Sequence, residues 1–173
     1  MTFTDVTLAK DLSLNGPGFA VLAVSDDKEP LLLECTCIKS DTSKPHGFRL
    51  NRIEDEIERL ITKYNPEHIV REKGFSRFAA MTQALYKVVG VSDNATYRKT
   101  SAVIDEISPT TVKKEIAGNG KATKEEIAEA VFRIMRIDNR DEFYGRGGKL
   151  IDDKTDAIAV GLTYLKQKKL IEL

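Results

Sequence analysis

The sequence predicts an α/β protein built on a mixed five-stranded sheet with helices on both faces. Three apolar segments near the N-terminus are joined by short turns, which favours antiparallel pairing of the first three strands. Two later apolar segments alternate with amphipathic segments, as strands separated by helices do. The expected element order is βββαβαβααα. A chain of 173 residues without an internal repeat is expected to form one domain covering 1–173.

The first three strands are predicted at 6–12, 18–24 and 29–38. Polar and apolar residues alternate in the first of them, and the second is apolar throughout. The Asn-Gly-Pro-Gly segment at 15–18 is a strong turn signal between these two strands. The N-terminal part of the chain is therefore expected to form an antiparallel unit.

The middle of the chain is predicted to alternate between helix and strand. Apolar residues follow a 3.6-residue period through 48–64, which indicates an amphipathic helix with an acidic outer face. The elements expected after it are a buried strand at 68–72, a helix at 74–90, a polar loop at 92–101 and a fifth strand at 102–107.

Three more helices are predicted toward the C-terminus. The first begins at the Ser-Pro pair 108–109, with proline at the favoured first helical position. The second covers 122–135 and begins with a Thr-Glu capping box. A mobile, glycine-rich loop is expected at 139–149, followed by the final helix at 153–170, which ends in lysines as the helix dipole prefers.

Charge is balanced over the whole chain but unevenly distributed. Residues 1–70 contain 8 Lys and Arg against 12 Asp and Glu, whereas residues 71–173 contain 19 against 15. No run of 18 or more apolar residues exists, so no membrane span is expected. The N-terminal segment does not resemble a secretory signal, and we expect a cytoplasmic protein.

Four carboxylates occur where predicted elements end or begin. Asp11 and Glu72 end the first and fourth strands, and Asp153 and Asp156 lie in the first turn of the last helix. Ligands of open α/β sheets gather beyond the carboxyl ends of the strands, so these acids are expected to converge there. Oxygen ligands suit Mg²⁺ or Mn²⁺. A pair of such ions can activate a water and stabilise a leaving 3′-oxygen in phosphodiester cleavage.

Each acid also has a purely structural interpretation. Asp153 and Asp156 have the spacing of an N-terminal helix cap, and Asp152 is either a further cap or a substitute ligand. Asp11 could simply begin a turn. Glu72 could pair with a neighbouring cation at a sheet edge. The spacing of these residues alone leaves the function open.

The motifs around these acids resemble those of the RuvC family of Holliday-junction resolvases, from about residue 6 to 166. Asp11 precedes a glycine-containing turn, Glu72 lies in IVREKGF, and Asp153 lies in DKTDAIAV, which is similar to the family's D-x-x-D-A-x-A-x-A pattern. The strongest stretch is ISPTTVKKEIAGNGKATKEEI at 107–127, which resembles the family's V-K-x-x-x-x-G-x-G-x-A-x-K segment.

The resemblance implies a ribonuclease H-like fold and a Mg²⁺-dependent (or Mn²⁺-dependent) endonuclease that resolves Holliday junctions by paired nicks. It implies that Asp11, Glu72, Asp153 and Asp156 are the catalytic residues and hold two metal ions per active site. It also implies a homodimer that binds four-way and other branched DNA. The chain also resembles the shorter forms carried by phages of Gram-positive hosts, and a phage-encoded protein would act in the bacterial host's cytoplasm.

A second group of residues is expected to bind DNA. Phe75 would stack on a base at the junction centre, although an aromatic residue here more often belongs to the core. Lysines around the turn at 118–120 would contact phosphates, or would simply form a solvated face. A cation in the glycine-rich loop would grip a second arm, or this loop could equally be disordered. The residues are Phe75, Lys113, Lys114, Lys121, Lys124 and Arg146.

Two other functions fit the same residues. The first is a ribonuclease H-like nuclease acting on RNA or RNA–DNA hybrids, which the lysine-rich segment at 107–127 argues against. The second is a non-catalytic protein that binds branched DNA, which the full set of acids argues against.

Overall fold

The computed structural model describes residues 2–74 and 78–173 of the chain. Within these residues five strands form one mixed sheet, which confirms the predicted fold class. The strands are β1 (Phe3–Asp11), β2 (Gly18–Ser25), β3 (Pro30–Cys37), β4 (His68–Glu72) and β5 (Asp105–Ile107). Their order across the sheet is β3-β2-β1-β4-β5.

The sheet combines an antiparallel half with a parallel half. β1 pairs with β2, and β2 with β3, in antiparallel fashion, as the short turns between them predict. β4 pairs in parallel with β1 on one side and with β5 on the other. The carboxyl ends of β1 and β4 therefore lie at the same edge of the sheet.

The helices lie on both faces of this sheet. Their bounds are α1 (His46–Tyr64), α2 (Ala79–Thr100), α3 (Pro109–Ala117), α4 (Lys124–Ile134) and α5 (Asp152–Gln167). One core joins the sheet to α1 and α2, and a second core joins the opposite face to α3, α4 and α5. α5 is buried from Thr155 to Leu165, as expected for an apolar helix lying directly on a sheet.

Local signals in the sequence explain where several helices begin and end. Ser108 caps α3 by accepting a hydrogen bond from the Thr111 backbone N–H at 3.1 Å. The capping box between Thr123 and Glu126 is present at the start of α4. α3 ends at Gly118, whose φ of 72° lies in the left-handed region that glycine adopts easily.

The prediction for α2 is wrong in its bounds. A helix was expected at 74–90 with a polar loop at 92–101, but α2 continues to Thr100. Ser92 and Thr96 are one helical turn apart, fully buried, and accept hydrogen bonds from Lys10 Nζ at 2.8 Å and 3.1 Å. The polar residues of this segment therefore accept hydrogen bonds from a buried lysine. The sequence of the segment alone does not reveal this role.

Two smaller predictions also need correction. The fifth strand covers only Asp105–Ile107 rather than 102–107. The segment predicted as a loop at 139–149 contains a single 3-10 turn, Asp141–Phe143, and an antiparallel bridge between Tyr144 and Leu150. Among the described residues, no helix has the length and apolar character needed to cross a bilayer.

Candidate active site

Asp11 and Glu72 meet at one edge of the sheet because β1 and β4 are parallel neighbours. Lys10 is in register with Arg71, so the residues that follow them, Asp11 and Glu72, lie side by side. Side chains alternate along a strand, and the residues two positions earlier belong to the core beneath α5. Both carboxylates therefore face the α5 side, and both residues line a cavity of about 520 Å³.

Asp153 approaches this edge over two glycines. Gly18 pairs with Asp11 across β1 and β2, and a Cβ atom at Gly18 would overlap the backbone carbonyl of Asp153. A Cβ atom at Gly16 would lie 2.9 Å from Asp153 Oδ2. The first turn of α5 thus rests directly on the turn that follows β1, which brings Asp153 within the electrostatic influence of Asp11.

Lys124, at the start of α4, places an ammonium group among these acids. Its Nζ is ion-paired with the buried Asp156 and lies 3.5 Å from Asp152 Oδ2. The Lys124 charge also lowers the pKa values of Asp11, Glu72 and Asp153, in each case against a larger opposing effect of burial. One cation therefore acts on every acid of the cluster.

The charge of Lys124 nevertheless does not fully compensate the negative charges of these carboxylates. Burial raises the pKa of Asp11 above its usual value. Burial, and then the charge of Asp11, raises the pKa of Glu72 to about 7. Burial, followed by the charges of Asp152 and Asp11, raises the pKa of Asp153 to about 6. A bound cation would favour the charged forms and reverse these shifts.

The chemistry of these donors fits a hard divalent ion, since all of them are carboxylate oxygens. Across residues 2–74 and 78–173, no three acidic, histidine or cysteine side chains converge on one point as they stand. The Lys124 ammonium is paired with Asp156 and Asp152 instead. Because half of the Lys124 side chain is solvent-exposed, it can move away from the acids when another cation binds.

The start of α5 and the turn after β1 show whether Asp153 acts as a helix cap and Asp11 as a turn residue. The N-cap of α5 is Ile151, so Asp153 lies inside the first turn rather than at the cap position. In the turn after β1, the Gly16 backbone N–H donates to the Ser13 hydroxyl at 2.9 Å. Asp153 therefore does not occupy the N-cap position of α5, and the acceptor of this turn hydrogen bond is Ser13 rather than Asp11.

Of the two cations that flank Glu72 in the sequence, Arg71 and Lys73, Arg71 is directed to the other face of the sheet. There it pairs with Glu106 at 2.7 Å and with Asp93. Lys10 lies next to it on the same face and is fully buried. Burial, and then the charge of Arg71, lowers the pKa of Lys10 to about 7.

The predicted DNA-binding lysines do not all lie at the acidic cluster. Lys113 and Lys124 both act on the Glu72 carboxylate and lower its pKa against the effect of burial. Lys114 influences Glu115 instead. Lys121 is exposed in the turn between α3 and α4. Only the first two of the four therefore belong to the electrostatic surroundings of the acids.

Of the two remaining predicted DNA-binding residues, only Arg146 lies within the described part of the chain. Arg146 lines a second cavity of about 770 Å³ that Asp152 and Asp153 also line. Phe75 falls outside the described residues, so its proposed contact with a base has no structural counterpart here.

Arg49 is a site residue that sequence reasoning missed. Its guanidinium is buried and donates to Ser40 Oγ at 2.7 Å, to the Leu14 carbonyl at 3.1 Å and to Asn15 Oδ1. It therefore holds the turn that follows Asp11. A signal was available, because Arg49 lies one helical turn before Ile53 on the buried stripe of α1, where an apolar residue is expected.

The chain is similar in sequence to one known family of proteins. A family model described as "Crossover junction endodeoxyribonuclease RuvC" matches residues 8–164. A protein of that name from Prochlorococcus marinus subsp. pastoris is 28% identical over 158 residues, covering 91% of this chain and 94% of the relative. One from a Synechococcus strain is 30% identical over 156 residues, covering 90% and 95%.

Solved structures share the fold. The structure of T. thermophilus RuvC in complex with Holliday junction substrate has a TM-score of 0.81 and 23% identity, covering 95% of each chain. A yeast mitochondrial Holliday junction resolvase has a TM-score of 0.70 and 13% identity, covering 96% of this chain and 80% of that one. The sheet and the helices around it are thus arranged as in these proteins.

Proposed function

Because the chain belongs to the RuvC family of crossover junction endodeoxyribonucleases, we propose that it resolves Holliday junctions by paired symmetric nicks. The observation that carries this proposal is the meeting of Asp11, Glu72 and Asp153 with Lys124 at one edge of the sheet, beside two open cavities. Acids that can hold divalent ions, next to cations that can hold phosphate, suit phosphodiester hydrolysis. Its substrate would be cellular DNA, so we propose that it acts in the cytoplasm.

RuvC-family nucleases are metal-dependent, and we propose that this chain uses two Mg²⁺ or Mn²⁺ ions per active site. Asp11, Glu72, Asp153 and Asp156 would hold them. When bound, the ions would supply activation of a water and stabilisation of the leaving 3′-oxygen. The chain's own part is to keep these carboxylates buried and close together.

Lys113 and Lys124 would neutralise the phosphate that is cut. Lys124 is already ion-paired with Asp156. When DNA and divalent cations bind, the Lys124 ammonium would leave that carboxylate and pair with a phosphate oxygen. A cation fixed where negative charge develops stabilises the transition state more than the bound substrate. Lys114 and Lys121 would contact the backbone farther away, whereas Arg146 would contact it beside Asp152 and Asp153, whose cavity it lines. The proposed stacking of Phe75 on a base rests on the family motif alone.

We propose that the active form is a homodimer. Large apolar residues lie at the surface at the N-cap and in the N-terminal half of α2: Phe78, Met81 and Tyr86 are 69%, 61% and 67% exposed. Exposed apolar residues grouped on one helix are typical of protein interfaces. A symmetric dimer would present two equivalent sites to a junction that itself has near two-fold symmetry, which explains paired nicks.

A panel of labelled substrates tests the function. Purified protein with Mg²⁺ is incubated with four-way, three-way and flap DNA, with linear duplex and with an RNA–DNA hybrid, and Asp11→Asn protein serves as the control. We expect nicks at symmetry-related positions of the four-way junction that the Asp11→Asn control does not produce.

The other outcomes of the panel identify the two alternative functions. Cleavage of the hybrid without cleavage of the junction would indicate a ribonuclease H-like enzyme. Tight binding of the junction without cleavage, at any Mg²⁺ or Mn²⁺ concentration, would indicate a non-catalytic junction-binding protein.

A further inference from the structure

A second groove opens on the other side of the acidic cluster from the Asp11–Glu72 cavity. It has a volume of about 770 Å³ and lies between the end of β3 and the turn that precedes α5. Three cations line this groove, and we call the surface that they form the basic groove. They are Lys39, Arg146 and Lys149. Asp152 and Asp153 also line this cavity, so the groove and the acidic cluster adjoin.

The turn that carries two of these cations is firmly anchored. The Gly145 N–H donates to the Lys149 carbonyl at 2.8 Å, and the Gly148 N–H donates to the Gly145 carbonyl at 3.1 Å. The Ile151 N–H donates to the carbonyl of Phe143, whose side chain is fully buried, at 2.8 Å. This turn therefore holds Arg146 and Lys149 at a defined place beside the start of α5.

The cations of the basic groove have their charge available. Within the part of the chain that the structure describes, Lys39, Arg146 and Lys149 form no ion pair, whereas nearby cations do. Arg140, for example, pairs with Glu129 at 2.9 Å, and Lys154 pairs with Glu142 at 3.5 Å. Three cations without a carboxylate partner in one concave surface match a polyanion in charge.

The basic groove is continuous with the active-site cavity. Asn15 lines both cavities, and the acids lie between them. A nucleic-acid strand that passes from the Asp11–Glu72 cavity over the acids would next reach Lys39, Arg146 and Lys149. This relation depends on the acids being the site of cleavage and therefore rests on the proposed function.

We propose that the basic groove binds the phosphodiester backbone of the DNA strand next to the bond that is cut. Lys39, Arg146 and Lys149 would bind consecutive phosphates and so fix the path of that strand across the acids. Lys39, which no sequence motif indicated, is part of this site because the end of β3 lies opposite the 145–149 turn.

Salt dependence of DNA binding tests the proposal. In an Asp11→Asn background, which prevents cutting, the triple variant Lys39→Gln, Arg146→Gln and Lys149→Gln is titrated with a four-way junction at several salt concentrations. Loss of three phosphate contacts is expected to flatten the slope of log K against log salt by about 2–3. Lys28→Gln, at the opposite end of the sheet, is the matched control and should leave the slope unchanged.

Cys37 provides a direct measure of occupancy, since it lines the same groove. In a Cys35→Ala chain, which retains this single thiol, we expect a saturating junction to slow alkylation of Cys37 several-fold. An unchanged alkylation rate would overturn the proposal. Protection by inorganic phosphate alone, at the same concentration of phosphate groups, would also overturn it, because the groove would then bind a small anion rather than a strand.

The outcomes separate this inference from the proposed function. If the unaltered chain binds no branched DNA, both fail. If it binds the junction, but the triple variant keeps the parent's salt slope, the proposed function stands and the assignment of the basic groove fails.

Discussion

At the scale of single residues, the candidate site consists of acids that need a cation. Asp11 and Glu72 lie on neighbouring strands, and the charge of Asp11 is the second cause, after burial, of the raised pKa of Glu72. Lys124 supplies part of the missing positive charge through its ion pair with Asp156. Divalent ions would complete it, so metal binding should stabilise the fold as well as permit cleavage.

Removing one carboxylate should therefore abolish both effects of the metal. Mg²⁺ is expected to raise the melting temperature of the unaltered chain but not that of Asp11→Asn or Glu72→Gln. Both variants should still bind a four-way junction, with cleavage slowed at least about 100-fold, because metal ions contribute several kcal/mol to transition-state stabilisation. Calorimetry and a nicking assay provide the measurements. An equal Mg²⁺-induced rise in all three proteins would contradict these ligands.

Gly18 is required by the close approach of α5 to β2. A methyl group at Gly18 would overlap the Asp153 carbonyl, so Gly18→Ala is expected to lower the free energy of unfolding by about 1–3 kcal/mol and to displace Asp153. Gly90→Ala, within α2 and with open space around it, should instead raise that free energy by about 0.5–1 kcal/mol. Urea unfolding measures both. If Gly18→Ala left the free energy of unfolding unchanged, α5 would lie farther from β2 at this position than the structure shows.

At the scale of secondary-structure elements, β1 is joined to α2 by a buried ammonium. Lys10 Nζ donates to Ser92 Oγ and Thr96 Oγ1, two residues that were predicted to lie in a loop. Burial of an ammonium is costly unless its protons find acceptors. The polar half of α2 therefore stabilises the strand that ends in Asp11, through contacts on the other face of the sheet.

A double-mutant cycle tests this link between the strand and the helix. Ser92→Ala should lower the free energy of unfolding by about 2 kcal/mol, because the buried ammonium loses an acceptor. In a Lys10→Met background the same substitution should cost much less, since no charge remains to be satisfied. The cycle is measured by chemical denaturation at about pH 6, below the Lys10 pKa of about 7, where the side chain is an ammonium. An equal loss of unfolding free energy in both backgrounds would show that the hydrogen bond between Lys10 and Ser92 contributes nothing to stability.

β3 and α1 are joined by an ionic cluster centred on Glu34. Its carboxylate accepts from Arg59 at 2.5 Å, from Lys63 at 2.7 Å and from the Tyr64 hydroxyl at 2.7 Å. The hydrogen bond from Arg59 is the largest cause that lowers the pKa of Glu34 to about 2. A lowered pKa means that this stabilisation is complete above about pH 4.5 and is lost as the pH falls toward 2.

Glu34→Gln should reproduce that pH dependence. We expect a loss of about 1 kcal/mol in the free energy of unfolding at pH 7, a modest value because Arg59 and Lys63 are solvent-exposed. The difference from the unaltered chain should shrink between pH 4.5 and pH 2. Glu29→Gln, which removes an exposed pair with Arg136, is the control. A difference that stayed constant with pH would argue against the ionic explanation.

At the scale of the whole molecule, α2 has two different surfaces along its length. Val88 and Ala95 are buried against the sheet, whereas Met81 and Tyr86 are exposed. The proposed homodimer would cover this apolar surface with a second copy of the chain, which the proposed paired nicking also requires.

Introducing charge on this surface should separate the two copies. Met81→Glu together with Tyr86→Glu is expected to halve the mass measured by light scattering and to replace paired nicks with single nicks. Tyr97→Glu, 65% exposed near the other end of α2, should leave mass and products unchanged. A monomeric mass for the unaltered chain, combined with paired nicking, would rule out the dimer proposal.

The sequence by itself determined the element order, a mixed sheet with an antiparallel N-terminal unit, and the placement of Asp11, Glu72, Asp153 and Asp156 at or near the ends of elements. These features depend on local periodicity, turn residues and helix start signals, which are readable along the chain. The motif resemblance added the family, which the match over residues 8–164 then confirmed.

Only the tertiary structure decided which side chains share one environment. Lys10 and Ser92 lie 82 positions apart, so nothing near either residue predicts a helix through 92–101. Lys124 among the acids, and Lys39 opposite Arg146, likewise result from the packing of distant segments. Burial and charge act through space, and these contacts exist only once the sheet has brought its edges and helices together.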